Sequence, residues 1–145
     1  MKILILSDNH SANVDFDLAS FDYVFHCGDR GSFKPNDMIK YVKGNCDFKG
    51  PKELEVIINN KKFYITHGDL YGVKTSYDRL VYKAIEINAD VVFFGHTHRP
   101  AHFEENGILF VNPGAYEDTF YVIINDDCLQ YYMGSRCYKK FEFKW

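Results

Sequence analysis

Five short polar clusters, each placed after a segment of strand-forming residues, constrain this chain more than any other feature. Residues 2–7, 23–27 and 91–94 are almost continuously apolar, as expected for strands that are buried on both faces of a sheet. In chain order the clusters are Asp8-Asn9-His10, Gly28-Asp29, Gly44-Asn45, His67-Gly68 and Gly95-His96-Thr97-His98. Because functional loops gather at the carboxyl ends of strands in α/β sheets, we expect these side chains to share one site.

The remaining segments predict a chain that begins βαβ-like and ends as a β-meander. Further strands are expected over 41–43, 54–58, 62–66, 108–111, 120–124, 129–133 and 137–143, and helices over 15–20, 35–42 and from about residue 75. The last helix is indicated by the spacing of Tyr77, Leu80, Val81, Ala84 and Ile85, and Thr75 with Asp78 resembles a capping box. Residues 99–100 are expected to start a loop. In the final strand the alternation of apolar and polar residues is interrupted at Lys139.

The composition limits which classes of protein this sequence can belong to. A chain of 145 residues with 46% hydrophobic and 17% aromatic residues is expected to form one compact domain, residues 1–145, and not to be disordered. The formal net charge of -3 provides no broad basic surface for nucleic acid. No segment has the roughly 18 apolar residues of a membrane span, so we expect no membrane partner. Four cysteines without a CxxC pair predict reduced thiols in the cytoplasm, with a disulfide scaffold as the alternative.

The polar clusters offer oxygen and nitrogen donors. Asp8 and Asp29 supply carboxylates, Asn45 supplies a carbonyl oxygen, and four of the histidines supply imidazoles. Such donors without thiolate suit Mn, Fe, Zn, Ni or Mg better than a structural cysteine–zinc site. Two divalent ions, even after neutralisation by both carboxylates and a hydroxide, would retain about one positive charge. An acidic protein could therefore still attract a phosphate group.

These motifs, in this order, resemble those of the calcineurin-like metallophosphoesterase superfamily. Gly44-Asn45-Cys46-Asp47 and Asn112-Pro113-Gly114 are most similar to its small bacterial and archaeal phosphodiesterase branch. The resemblance implies an α/β fold, a four-layer α/β/β/α sandwich of two mixed sheets flanked by helices. It also implies a divalent-metal-dependent phosphoesterase, in particular a phosphodiesterase acting on a small phosphodiester, in which a hydroxide bridging two metal ions attacks phosphorus.

The resemblance also assigns individual residues. Asp8, His10 and His98 would bind one metal ion, Asn45, His67 and His96 would bind the other, and Asp29 would bridge the two. Asp29, Asn45 and His67 would be catalytic, while Asn45 and Cys46 would contact the substrate. Mn²⁺ is the expected ion, with Fe, Ni, Zn or Mg as alternatives.

Cys46 departs from the family pattern, because many relatives have a histidine that is thought to contact the phosphate and assist the leaving group. A thiol with an ordinary pKa of about 8.5 is a poor cationic partner. We therefore expect hydrolysis to be biased toward substrates with good leaving groups, such as aryl phosphodiesters.

Several alternatives stay open at this level. His26 is expected to be a hydrogen-bonded core residue and His102 a solvated loop residue, while Asn112 should form a turn that supports the site. Asp47 and Asp69 either orient ligand imidazoles or are plain loop residues, and Arg99 either contacts phosphate or is solvated. The aromatic C-terminal half suits either a sheet core or the face of a homo-oligomer. Rival functions are a protein-interaction scaffold, like the retromer subunit that shares this fold, and a nuclease.

Overall fold

The computed structural model describes residues 1–31 and 33–145 and contains two mixed β-sheets packed against each other. In chain order the elements are β1 (Lys2–Leu6), β2 (Tyr23–His26), β3 (Ile39–Tyr41), β4 (Glu53–Ile58), β5 (Lys61–Thr66), α1 (Asp78–Glu86), β6 (Val91–Phe93), β7 (Ala101–Glu105), β8 (Ile108–Asn112), β9 (Phe120–Asn125), β10 (Cys128–Met133) and β11 (Arg136–Glu142). Three short 3₁₀ helices cover Leu18–Ser20, Asp69–Tyr71 and Tyr116–Asp118. The two-sheet prediction is confirmed.

The first sheet has the strand order β11-β10-β9-β1-β2-β3, and the second has the order β4-β5-β6-β8-β7. In the first sheet β1, β2 and β3 are parallel, whereas β9, β10 and β11 continue it as an antiparallel meander. In the second sheet β5, β6 and β8 are parallel, and the edge strands β4 and β7 are antiparallel. The continuous apolar segments over 2–7, 23–27 and 91–94 contain β1, β2 and β6, three of the parallel strands.

The core between the sheets is rich in aromatic residues. Phe25 of β2 lies against Phe63 of β5 and Phe93 of β6, with ring centroids 6.5 and 5.5 Å away respectively. These rings are fully buried, as are Ile3 and Ile5 of β1. Each such side chain stabilises the fold by roughly 1.5–3 kcal/mol. This core fixes the position of one sheet relative to the other. A site with residues from both sheets requires this.

Helix α1 covers the outer face of the second sheet. Its buried residues Leu80, Val81 and Ala84 pack in one cluster with Tyr64 and Val92 of the sheet. The predicted capping box is wrong. The amide of Asp78 instead donates to Oγ of Ser76 at 3.1 Å.

Two of the expected helices are absent from the described residues. Over 35–42 the chain makes a turn at Asn36, whose side chain accepts a hydrogen bond from the amide of Met38 at 2.9 Å, and then enters β3. Pairing of β3 with β2 satisfies the backbone there and overrides the local pattern. Over 15–20 only Leu18–Ser20 is helical, as one 3₁₀ turn. The outer face of the first sheet is therefore covered largely by irregular chain, with Phe16 and Phe21 packed near Tyr121.

The loop expected after Pro100 is also wrong, because residues 101–105 form the edge strand β7. His102 consequently lies in a strand, where its ring stacks on Phe141 with centroids 3.7 Å apart. Among the described residues, no helix has both the length and the apolar character needed to cross a membrane.

Candidate metal centre

The candidate ligands lie where the parallel strands of both sheets end. Asp8 and His10 follow β1, Asp29 follows β2, and Asn45 follows β3 in the first sheet. His67 follows β5, and His96 and His98 follow β6, in the second sheet. Because the parallel strands end at one edge of the sandwich, these loops face one another. The structure brings all seven predicted metal ligands together.

Most of these ligands have an unusual backbone conformation. Five have positive φ, namely Asp8 (52°), His10 (44°), Asp29 (58°), His96 (71°) and His98 (62°). A non-glycine residue in this region costs about 1–3 kcal/mol and is maintained only where the surroundings determine it strongly. The concentration of this strain at the strand ends marks the edge as a functional site.

Two glycines in the motifs allow close contact between the loops. A Cβ on Gly95 would lie 2.0 Å from Oγ of Ser7, and one on Gly44 would lie 2.1 Å from Oδ1 of Asp29. Neither position has space for a side chain without moving a carboxylate or the residue that binds it. The glycines of Gly-His-x-His and Gly-Asn are thus explained by packing around Asp8 and Asp29.

The first group of donors surrounds Asp8, whose side chain is fully buried. Oδ1 of Asp8 lies 3.2 Å from Nε2 of His98 and 3.9 Å from Nε2 of His10, and those two nitrogens are 3.4 Å apart. Oδ2 of Asp8 accepts hydrogen bonds from Oγ of Ser7 and the amide of His96, which fixes the carboxylate. Oδ1 has no hydrogen-bond partner among the described residues.

The second group surrounds His67. Its Nε2 lies 2.9 Å from Oδ1 of Asn45, 3.2 Å from Nδ1 of His96 and 3.2 Å from Oδ2 of Asp29. The same Oδ2 of Asp29 is 3.9 Å from Nε2 of His10 in the first group. Asp29 therefore lies between the two groups, as expected of a bridging ligand.

These separations fit metal coordination. Donors bound to one ion at about 2.1 Å lie roughly 3.0–3.4 Å from one another, and the shorter contacts above fall near that range. A fully buried carboxylate oxygen without a hydrogen bond is costly unless a cation pairs with it. The chemistry of the donors and the orphaned Oδ1 of Asp8 together fit divalent ions.

Polar partners behind the imidazoles select which ring nitrogen faces the site. Nδ1 of His67 donates to the carbonyl of Cys27 at 2.7 Å, so its Nε2 is directed toward Asp29. Nδ1 of His98 lies 3.5 Å from Oε1 of Glu117, and its Nε2 is directed toward Asp8. Such partners orient metal-binding histidines and increase their basicity.

Asp47 supports the site through the backbone. Its Oδ2 accepts hydrogen bonds from the amides of Asp29 at 2.8 Å and Gly44 at 2.9 Å, and its Oδ1 accepts one from Arg30 at 3.1 Å. The carboxylate thus joins the loop after β2 to the loop after β3. Of the two roles open for Asp47, the observed contacts stabilise loops and do not orient an imidazole.

The carboxylate of Asp29 and the ring of His67 stabilise each other's charge. Burial alone would raise the pKa of Asp29, but the hydrogen bond and charge of His67 hold that pKa below its ordinary value. Burial alone would lower the pKa of His67, but Asp29 and Asp8 raise it above its ordinary value. A cation binding here would therefore compete with a proton for His67, because metal ligands must be deprotonated.

Cys46 lies at the rim of the centre. Its amide donates to Oδ1 of Asp29 at 2.8 Å, and its Sγ lies within 4.8 Å of donor atoms of His10 and Asp29. Loss of solvation, together with the negative charge of Asp29, raises the pKa of the thiol. The thiol is therefore uncharged at neutral pH and lies beside the candidate ligands His10 and Asp29.

The other residues singled out in the sequence have separate roles. His26 is a buried core residue, as expected, with its Nε2 donating to Oδ1 of Asn9 at 2.7 Å. Asn112 supports the site by donating to the carbonyl of Gly95 and to Thr97. Arg99 is exposed and lines a shallow cavity with Lys74 and Tyr77. Asp69 begins the 3₁₀ turn that follows His67 and Gly68.

Ser7, Asn9 and Glu117 were not predicted as site residues. Ser7 and Asn9 lie beside Asp8 in the chain, so their position was a usable signal. Glu117 is 19 positions from His98, and no local pattern could have connected the two.

Comparison with known proteins gives a consistent assignment. A model of the calcineurin-like phosphoesterase superfamily domain matches residues 1–123. The chain is 34% identical over 126 residues to the probable metallophosphoesterase YsnB of Bacillus subtilis (strain 168), covering 79% of this chain and 75% of that protein. It is 30% identical over 84 residues to the phosphodiesterase YfcE of Escherichia coli (strain K12), covering 51% of this chain and 42% of that protein.

A solved structure agrees along nearly the whole chain. The crystal structure of a conserved protein from Streptococcus pneumoniae TIGR4, described as a predicted phosphoesterase, superimposes with a TM-score of 0.82 and 29% sequence identity. The similarity covers 97% of each chain. The matched family model, the similar sequences and the similar fold lead to one conclusion. This chain belongs to the calcineurin-like phosphoesterase superfamily.

Proposed function

We propose that this protein is a phosphodiesterase that depends on two divalent metal ions and hydrolyses a P–O bond of a small phosphodiester. The observation that carries the proposal is the position of Asp29. Its Oδ2 lies within 4 Å of His67 in one donor group and of His10 in the other. A carboxylate shared in this way is what a dinuclear centre needs.

When bound, two divalent cations would supply positive charge to the phosphate oxygens and lower the pKa of an attacking water. The chain's own residues then have separate tasks. Asp8 and Asp29 balance part of the cationic charge. Burial lowers the pKa of His96 and so favours the neutral imidazole that a metal ligand must be. Asn45 and Cys46 lie at the exposed side of the centre, where a phosphate would enter.

The preference for diesters rests on Cys46. A phosphomonoester dianion gains more from a cationic side chain beside the phosphate than a diester monoanion does, and an uncharged thiol provides no such charge. The similar protein from Escherichia coli is named a phosphodiesterase, which agrees with this preference. We therefore propose a diester with a good leaving group, such as an aryl diester, as the substrate class.

The size of the substrate and the cellular compartment of the protein are also proposals. A formal net charge of -3 favours a small phosphodiester over a long nucleic acid. The four cysteines are free thiols, which supports work in a reducing compartment such as the cytoplasm.

The deciding experiment measures the hydrolytic activity of the purified protein with each combination of several metal ions and several substrates. We expect activity on bis-p-nitrophenyl phosphate with Mn²⁺, with Fe²⁺, Ni²⁺, Zn²⁺ and Mg²⁺ compared in parallel. Asp29→Ala should remove both bound ions and the activity, because Asp29 lies between both groups, whereas the exposed Asp15→Ala is the matched control. Unchanged metal stoichiometry and rate in Asp29→Ala would contradict the dinuclear centre.

Two other outcomes would reassign the protein. Tight metal binding without turnover on any ester would favour a protein-interaction scaffold. Preferential cleavage of single-stranded oligonucleotides would favour a nuclease.

A further inference from the structure

A second cavity opens at the edge where β7 meets β10 and β11. It has a volume of about 370 Å³. Its lining consists mainly of rings: His102 from β7, Phe120 from β9, Tyr131 from β10, and Tyr138 and Phe141 from β11. Pro100 and the exposed Lys139 complete it. None of these residues belongs to the donor groups described above.

The rings of the cavity are arranged around its walls. His102 stacks on Phe141, and Tyr131 lies edge-on to Phe141 with centroids 5.8 Å apart. Tyr138 lies edge-on to Phe120 at 6.1 Å. Aromatic faces of this kind favour a planar ring as the bound group, since stacked and edge-on pairs contribute beyond simple burial.

Two polar atoms of this cavity are buried without a partner. Nε2 of His102 and Oη of Tyr138 have no hydrogen bond within the described residues, whereas the hydroxyl of Tyr131 is satisfied by the carbonyl of Ala101 at 2.5 Å. An unsatisfied buried polar group is destabilising, so a bound group that met these two atoms would recover that cost. A plain hydrocarbon ring would leave both unpaired.

A β-bulge aims Tyr138 into the cavity. In the pairing of β10 with β11, Tyr131 is opposite Lys139 and Tyr132 is opposite Cys137, which leaves Tyr138 as the extra residue. This bulge explains the interruption of the alternation at Lys139. Bulges of this kind commonly occur next to functional sites, where they redirect a side chain.

Two residues that line the cavity follow shortly after residues of the metal centre in the sequence. Pro100 is two residues after His98, so their Cα atoms are at most about 7 Å apart. Phe120 is three residues after Glu117, whose carboxylate contacts His98. A substrate with its phosphate at the metal centre could therefore place one of its two ester arms in the cavity.

We propose that this cavity binds a planar heteroaromatic group, of the nucleobase type, carried on one arm of the phosphodiester. The proposal rests on the proposed function only for the position of the phosphate. A heteroaromatic ring would stack on the aromatic walls. The donors and acceptors on its edge would be partners for Nε2 of His102 and Oη of Tyr138. The ammonium group of Lys139 at the rim would attract the anionic ester.

The test measures binding of adenosine to the metal-free protein by saturation-transfer NMR titration, with ribose as the probe that lacks the ring. We expect adenosine to bind and ribose not to bind. Tyr138→Phe should weaken adenosine binding by about fivefold to tenfold, the usual effect of losing one hydrogen bond. It should also raise the melting temperature, because it removes an unpaired buried hydroxyl. Tyr132→Phe, on the neighbouring strand and outside the cavity, is the matched control.

Binding is read without metal and without turnover, so the result is independent of the proposed hydrolysis. If adenosine binds no better than ribose, the proposal is overturned. It is equally overturned if adenosine binds but Tyr138→Phe leaves the affinity unchanged, whatever the melting temperature, because the hydroxyl would then make no hydrogen bond to the bound ring. In the active enzyme, the same variant should raise KM for a diester of a nucleoside and leave KM for bis-methyl phosphate unchanged.

Discussion

Oδ1 of Asp8 lies 3.2 Å from Nε2 of His98 and is fully buried, yet it accepts no hydrogen bond from the described residues. The other oxygen of the same carboxylate is held by Ser7 and by the amide of His96. The side chain therefore cannot rotate to satisfy Oδ1 without losing those bonds. A divalent cation is the partner that would complete it.

This geometry predicts that metal ions stabilise the fold. At a free metal concentration 100 times the dissociation constant, binding to the native state alone adds about 2.7 kcal/mol. For a chain of this size the melting temperature should rise by roughly 5–10 °C. The measurement is thermal unfolding with Mn²⁺ and with a chelator, for the wild type and for Asp8→Ala. Equal shifts in the two proteins would show that the ions bind elsewhere.

A second prediction concerns Asp47, whose carboxylate accepts three backbone hydrogen bonds from the loops after β2 and β3. In Asp47→Asn, an amide NH₂ group must replace one of the acceptor oxygens. We expect a loss of about 2 kcal/mol in the free energy of unfolding, since hydrogen bonds to charged groups contribute about 1.5–3 kcal/mol. Metal affinity should also fall, because a neutral amide oxygen holds the backbone amides of Asp29 and Gly44 more weakly than the carboxylate does.

Urea unfolding and competition with a metal-binding dye measure the two effects of Asp47→Asn. Asp15→Asn, at an exposed position, is the matched control. A variant of Asp47 with normal metal affinity and stability would show that the loops around Asp29 are held by other contacts.

The strands that carry the ligands could be predicted from the sequence because their signals are local. In β1, β2 and β6 a continuous apolar segment ends at a polar cluster, and the chain alone contains both parts of that pattern. The order of the clusters then indicated the family. The glycines of the motifs could be recognised, but the atoms they leave space for, such as Oδ1 of Asp29 beside Gly44, become known only from the fold.

The remaining features depend on contacts between distant parts of the chain. Residues 39–41 form a strand because β2 offers a pairing edge, and no local pattern reports that edge. Tyr138 points into the second cavity because β11 has one more residue than β10 at the bulge. Asp8 and His96, which both have positive φ, are joined by a hydrogen bond from the amide of His96 to Oδ2 of Asp8 across 88 positions of the chain. Such features are tertiary in origin, so single-chain patterns could not predict them.

A third prediction concerns Cys46, whose uncharged thiol lies at the rim of the metal centre. With an uncharged thiol beside the phosphate, we expect aryl diesters to be hydrolysed much faster than alkyl diesters. Cys46→His should increase the hydrolysis of phosphomonoesters, because an imidazolium would add a positive charge near the dianion. The measurement is kcat/KM for p-nitrophenyl phosphate and for aryl and alkyl diesters, with Cys46→Ser as the control for loss of the thiol. Equal aryl and alkyl rates in the wild type would remove the argument.

The fourth prediction is a pH dependence of stability that comes from His26. Burial, reinforced by the charges of His67 and Arg30, lowers its pKa from 6.5 to about 3, so the folded protein keeps the ring neutral. The unfolded chain takes up a proton near its ordinary pKa, whereas the native state does not. The stabilisation is therefore complete above pH 6.5 and is lost as the pH falls from 6.5 toward 3. At pH 5 the loss from this group alone should be about 2 kcal/mol.

Urea unfolding at pH 7.5 and pH 5.0 in the presence of a chelator, for the wild type and for His26→Gln, isolates this effect. Every other residue is the same in the two proteins, so the difference between the two pH dependences belongs to His26. We expect the variant to lose about 2 kcal/mol less than the wild type between the two pH values, whatever its stability at pH 7.5. Losses of equal size would mean that His26 is protonated in the folded protein. Its Nδ1 could then not accept the hydrogen bond from the amide of Gly28, and the contact at 3.1 Å would need another explanation.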